Sequence, residues 1–246
     1  MRFFMTFTYD GSNFSGFQKQ PRGRTIQSEL EKALTKLNSN NKVSVVATGR
    51  TDAGVHALNQ KAHFDLLRDY DEEYLRNSLN KLIPEDIYVK TIEKVNDDFH
   101  ARFNVKAKEY IYRINLGEYN PLERNYVYQY NKRLDLTEME RALKYLEGEH
   151  NFKSFTKANN ETEDYVRTIN QATLIRSEKN LDEVVISLIG DGFLRYMVRN
   201  IVGLLIEIGE GKRKSEDVYE ILKTEDRTEA GITAPACGLY LKDVFY

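Results

Sequence analysis

The chain opens on strict alternation. In RFFMTFTY (2–9), Phe3, Met5, Phe7 and Tyr9 fall on one face, as a strand requires. A polar stretch with three glycines follows, DGSNFSGFQKQPRGR (10–24), and then the period changes. Ile26, Leu30, Ala33, Leu34 and Leu37 recur at helical spacing, and the polar cluster Asn38–Asn41 ends that helix. VSVVA (43–47) predicts a strand, and the alternation of Ala62, Phe64 and Leu66 predicts the next. A second helix carries Leu75, Leu79, Leu82 and Ile83 inward, with Asp71, Glu72 and Glu73 in its first turn, where the helix dipole favours acids. Pro84 stops it, and IYVKTIEKV (87–95) reads as a fourth strand. The order is β-α-β-β-α-β, the split pattern of ferredoxin-like domains.

The second half predicts a similar series. KEYIYRINL (108–116) places Lys108, Tyr110, Tyr112 and Ile114 on one face. Thr137 and Glu140 have the spacing of a capping box, opening a helix with Met139, Ala142, Leu143 and Leu146 inward and a stop at Gly148. Strands near 165–176 and 183–189 are joined by the polar turn SEKN. A strongly apolar helix (193–209), a short one (SEDVYEILK) and a final strand (GLYLKDVF) complete the chain. The fold class expected is therefore α+β, with two half-domains in tandem, 1–100 and 101–246. Such halves could join their sheets and leave a cleft.

Composition narrows the function classes. The 246 residues carry 36 basic and 38 acidic side chains, a net charge of −2 that argues against indiscriminate nucleic-acid binding. The charges are segregated, however: acids crowd Asp65–Asp98, while bases collect in KQPRGR (19–24) and RFNVKAKEYIYR (102–113). A local basic groove on an acidic body is one outcome of such segregation, and ordinary solvated faces are the other. No apolar run reaches the roughly 20 residues of a membrane span, and the N-terminus does not read as a secretory signal. A single cysteine, Cys237, fits a reducing cytoplasm and excludes zinc sites built on two or more cysteines. No metal site is expected.

Three features carry candidate chemistry. In ATGRTDAGVHALNQ (47–60), Gly49 and Gly54 bracket Arg50, Thr51 and Asp52, a sharp turn able to project an aspartate. On these residues alone the turn also reads as one in which Asp52 bonds only its own backbone. Tyr110 and Tyr112 share a strand face and could stack on bases, or simply pack in the core. Arg199 lies in the apolar helix, with Arg195 one turn earlier on the same side. A guanidinium there is costly to bury unless a carboxylate from outside the helix meets it, with Asp52 a candidate; otherwise it snorkels to solvent.

At these residues a family resemblance enters. YDGSNFSGFQKQ, RTIQSELEKAL, GRTDAGVHALNQKAHF, FHARFNVKAKEYIYRI, MERALKYLEGEHNFKSFT, GDGFLRYMVRNIVG and APACGLYL stand in order along the chain. Together they resemble the TruA family of tRNA pseudouridine synthases over essentially its whole length. Departures are mild: Phe17 stands where Trp is frequent, Asn151 where Asp is usual, and Ile83 where Leu often occurs. The resemblance implies that Asp52 is catalytic, Tyr110 stacks on the target base, and Arg199 pairs with the carboxylate. Arg50 would fill the gap left by a flipped nucleotide, and Lys19, Arg22 and Arg24 would contact RNA. It further implies two ferredoxin-like (RRM-like) halves sharing a continuous, mainly antiparallel sheet with a central cleft. The expected protein is a homodimer whose partner is tRNA, modified at positions 38, 39 and 40 of the anticodon stem-loop without any cofactor. Two other classes compete. A non-enzymatic RNA-binding protein needs no acid in its cleft, and an Asp-dependent hydrolase wants a second acid or base, for which only His56 is at hand.

Overall fold

A computed structural model describes residues 1–157, 164–178 and 180–246. It is a mixed α+β protein with five α-helices among the described residues and mostly antiparallel strand pairs. Its contacts divide into two compact units, Met1–Lys106 with Tyr240–Tyr246, and Ala107–Leu239.

The first unit runs β1 (Arg2–Tyr9), α1 (Ile26–Leu37), β2 (Val46–Ala47), β3 (His56–Asp65), α2 (Glu72–Asn80) and β4 (Ile87–Val95). β1 lies between β4 and β3, antiparallel to both, and β2 is antiparallel to β3. The last strand of the chain, β10 (Leu239–Phe245), reaches this unit through Tyr240 and Leu241, which run parallel to His56 and Ala57. The core follows the alternation: Phe3, Met5, Phe7, Phe64, Leu30, Leu34, Leu75 and Leu79 are fully buried, each contributing about 1.5–3 kcal/mol. Phe4 points to the other face and meets Phe99 and Tyr246 edge-on.

The strand expected over 43–47 is reduced to Val46–Ala47. Val43 and Val45 are buried as predicted, but α1 captures their amides. Val43 N donates to Thr35 Oγ1 at 3.1 Å and Val45 N to Glu31 Oε1 at 3.2 Å. A segment whose donors are taken by side chains cannot also join a ladder. β3, conversely, begins at His56, well ahead of the alternation at Ala62 that announced it.

The second unit holds β5 (Ala107–Asn115), β6 (Tyr128–Gln129), α3 (Leu136–Lys144), β7 (Gly148–Asn151), β8 (Val166–Arg176), β9 (Glu183–Gly190), α4 (Met197–Gly209) and α5 (Asp217–Thr224). β5, β9, β8 and β7 pair in that order, each antiparallel to the next. Part of the SEKN turn, Lys179, lies outside the described residues. The predicted capping box at Thr137 is a correction. The cap is Asp135, whose Oδ1 accepts from Thr137 N at 3.0 Å and Glu138 N at 3.1 Å. A carboxylate two residues earlier captures the free amides first. The helix ends at Lys144, and Gly148 opens β7 instead. α4 also starts later than predicted, at Met197, because Tyr196 takes a left-handed conformation with φ +66°. Arg195 is therefore not on the helix. No helix among the described residues is long and apolar enough to cross a membrane.

Candidate active site

In the first unit the segment between β2 and β3 is pinned from beneath. Gln60, fully buried, accepts from Thr48 Oγ1 at 2.6 Å and donates to the Gly49 carbonyl at 3.1 Å. Thr51 is held twice. Its Oγ1 shares a 2.8 Å hydrogen bond with the Tyr9 hydroxyl, and its carbonyl accepts from Phe17 N at 3.0 Å. Burial pushes the Tyr9 phenol up to about 12, so it stays protonated and neutral at physiological pH. The Asp52 carbonyl accepts from Val55 N at 3.2 Å, closing a four-residue turn with Gly54 at φ +78° in third position. A type II turn requires that positive φ. Asp52 is half-buried and Arg50 is exposed.

The loop 10–24 packs on this turn. At Gly16, with φ +97°, a Cβ would lie 2.9 Å from the Thr51 carbonyl oxygen and 3.3 Å from both Ala53 N and the Asp52 carbonyl carbon. Only a hydrogen fits in that space. His56 closes the other side: it is 2% exposed, its Nδ1 takes the Gly11 amide at 3.1 Å, and its ring stacks on Tyr240 at 4.6 Å. These contacts give the imidazole a structural task.

The basic residues of the loop divide. Arg24 forks onto Asp86 at 2.6 and 2.8 Å, reaches Glu29 at 3.3 Å and lies 4.2 Å from the Phe14 ring centre. It fastens the loop to the residue preceding β4. Arg22 is exposed, and Lys19 is 58% exposed with its Nζ 3.4 Å from Glu31.

In the second unit Tyr110 is 8% exposed and meets Phe193 edge-on at 5.0 Å. Tyr112, expected on the same face, is fully buried and donates to the Pro235 carbonyl at 2.7 Å. Arg199 is half-buried on the first turn of α4. Its Nε donates to the Ala234 carbonyl at 2.7 Å, and its own carbonyl accepts from Ala234 N at 3.0 Å. Its guanidinium lies 5.0 Å from the centre of the Tyr196 ring, and that of Arg195 lies 5.3 Å from the same centre. Asn200, fully buried beside it, donates to the Phe155 carbonyl at 2.6 Å and accepts from Arg227 at 2.9 Å and Thr233 at 2.6 Å.

Arg50 and Asp52 thus share one pinned segment between β2 and β3 in the first unit, and Tyr110 and Arg199 each sit on a fixed element of the second. Sequence reasoning did not find Gln60, Tyr9, Thr51 or Gly16. Gln60 stands two residues ahead of the alternation at Ala62 that marks the strand, so its inward place on β3 carries no signal in the sequence. Among the described residues no group of three His, Cys, Asp or Glu side chains assembles as a metal set.

A family model described as tRNA pseudouridine synthase matches residues 5–104 and 142–246. Full-length relatives are similar throughout. The tRNA pseudouridine synthase A of Limosilactobacillus reuteri is 45% identical over 248 residues, covering all of this chain and 96% of its own length. That of Anoxybacillus flavithermus is 45% identical over 98% of this chain and 97% of its own. That of Streptococcus mutans is 43% identical over all of this chain and 99% of its own. The chain therefore belongs to the tRNA pseudouridine synthases, a family of isomerases.

Proposed function

We propose that the protein converts uridine to pseudouridine at positions 38, 39 and 40 of the tRNA anticodon stem-loop, with Asp52 as the catalytic group. The observation that carries this reading is the Asp52 turn itself. A half-buried carboxylate follows a threonine held by both its hydroxyl and its carbonyl, on a turn propped by a fully buried glutamine. Such preorganisation suits a group that must meet a reacting atom with little reorganisation. The anticodon target, and the roles given to Tyr110, Arg199 and Arg50, rest on the family resemblance.

The chemistry balances without a co-reactant. The bond from ribose C1′ to N1 of uracil breaks, the base turns over, and C1′ bonds to C5. C5 loses its proton, and N1, freed from the sugar, gains one, so no net oxidation occurs. The target base must first leave its stack, at a cost of about a few kcal/mol. In this reading Arg50 fills the vacated space and Tyr110 stacks on the flipped base, a contact worth about 1–3 kcal/mol. Arg199 would pair with the Asp52 carboxylate, which acts as nucleophile or base. Each half would be ferredoxin-like. A homodimer in the cytoplasm acting on tRNA completes the proposal.

Asp52→Asn tests it, because the amide supports the same turn but carries no charge. With tRNA tritiated at C5 of uracil, tritium release is expected to fall to background. Affinity for tRNA should stay within about tenfold, and thermal melting should match the parent. A folded Asp52→Asn protein with full activity would overturn the assignment.

A further inference from the structure

Along α1 the first unit carries a concave groove of about 440 Å³. Four lysines line it: Lys19, Lys32, Lys36 and Lys42. Thr35 and Asn40 also border it. Its one acid, Glu31, is 8% exposed and already engaged. It takes Gln27 Nε2 at 3.0 Å, the Val45 amide at 3.2 Å and Lys19 Nζ at 3.4 Å. Lys32, Lys36 and Lys42 are exposed. A chain of net charge −2 thus concentrates four cations against one committed carboxylate in a single depression, which fits a polyanion.

The chain that lines one end of the groove also contacts the candidate catalytic turn. Phe17 N bonds the Thr51 carbonyl, and two residues on, Lys19 N bonds Gln27 Oε1 at 2.9 Å on α1. One short strand of loop therefore joins the backbone beside Asp52 to the mouth of the groove. From Ser28 to Lys36 the helix rises about 12 Å at ~1.5 Å per residue.

We infer that this lysine groove holds the sugar–phosphate backbone of the tRNA substrate, away from the uridine that reacts. The inference rests on the proposed tRNA reading and extends it to a surface that does not touch the reacting base. Phosphates would lie against the ammonium groups, with Thr35 and Asn40 adding neutral hydrogen bonds. Binding of this kind is blind to sequence and sensitive to salt.

The test is the salt dependence of tRNA affinity for the full chain carrying K32Q, K36Q and K42Q together. Removing three phosphate contacts should lower the slope of log K against log salt by about 2–3, and kcat/KM should fall with it at low salt. The triple Lys→Arg protein should recover both, since it keeps the charges. A control with K81Q, K94Q and K212Q removes the same charge from outside the groove and should behave as the parent. Unchanged affinity and slope in the groove variant, or an equal loss in the control, would overturn the inference. So would loss of binding to phosphatidylserine vesicles with tRNA affinity unchanged, which would make the groove a membrane contact. If the parent binds tRNA but releases no tritium, the catalytic reading fails, and the salt slope still decides the groove.

Discussion

Single residues set the geometry of the candidate site by what they exclude. Gly16 is the clearest case, because its missing side chain is where the Thr51 and Asp52 backbone lies. Gly16→Ala adds a methyl 2.9 Å from the Thr51 carbonyl oxygen at a φ of +97°. That backbone conformation costs about 1–3 kcal/mol for a side-chain-bearing residue. The turn must move to relieve the contact, and a displacement near 1 Å at a catalytic group costs about 100-fold in rate. Tritium release and a thermal melt on the same sample check this: activity should fall much further than stability. Full activity would mean that the turn tolerates the shift.

Titration acts at this scale as well. Burial, helped by nearby Arg2 and His100, lowers His63 from 6.5 to about 4. Its Nδ1 accepts the Ala101 amide at 3.1 Å, a bond that protonation would break. The unfolded chain therefore binds the proton more readily than the folded one between those two values. Stability from this group is present above pH 6.5 and is lost as pH falls towards 4, by on the order of 2–3 kcal/mol. Melting temperatures between pH 7 and 4.5 should drop less in a His63→Asn protein than in the parent. Equal slopes would show that His63 does not contribute.

At the scale of elements, periodicity carried far and then stopped for identifiable reasons. β1 and β4 occupy the spans their sequences announce, and α1 runs from Ile26 to Leu37 as its apolar stripe predicts. Failures occurred where side chains compete with the backbone for hydrogen bonds. Val43 and Val45 look like strand residues, yet Thr35 and Glu31 hold their amides. Tyr196 lies within a stretch whose apolar spacing fits a helix, and nothing in that spacing reveals that its backbone turns left-handed. The same holds at the site. The turn GRTDAG was legible from its glycines, whereas the buried Gln60 and Tyr9 beneath it look like ordinary strand positions. The two candidate caps of α3 can be separated directly. Asp135→Ala should cost about 1 kcal/mol and lower the melting temperature by about 2–4 °C, and Thr137→Ala should cost less than ~0.5 kcal/mol. Equal losses, measured by denaturant titration, would restore the threonine as the cap.

At the scale of the whole chain, one feature concerns the order of synthesis. The first unit is not made only of the residues that emerge first. Tyr240 stacks on His56, Val244 offers its carbonyl to Lys61 at 2.6 Å, and Phe245 offers its own to Lys106 at 2.9 Å. Tyr246 donates to the Ala101 carbonyl at 2.7 Å. During translation residues 1–106 emerge before the strand beside His56, which is made only after the whole second unit. Until then the edge of β3 near the Asp52 turn stays unpaired, the kind of edge that invites wrong partners. A truncated product would keep every candidate catalytic residue and still lack the ring that packs on His56. Synthesis of β10 thus acts as a checkpoint on the site, with Tyr240–Tyr246 latching what residues around His56 and Lys61 began.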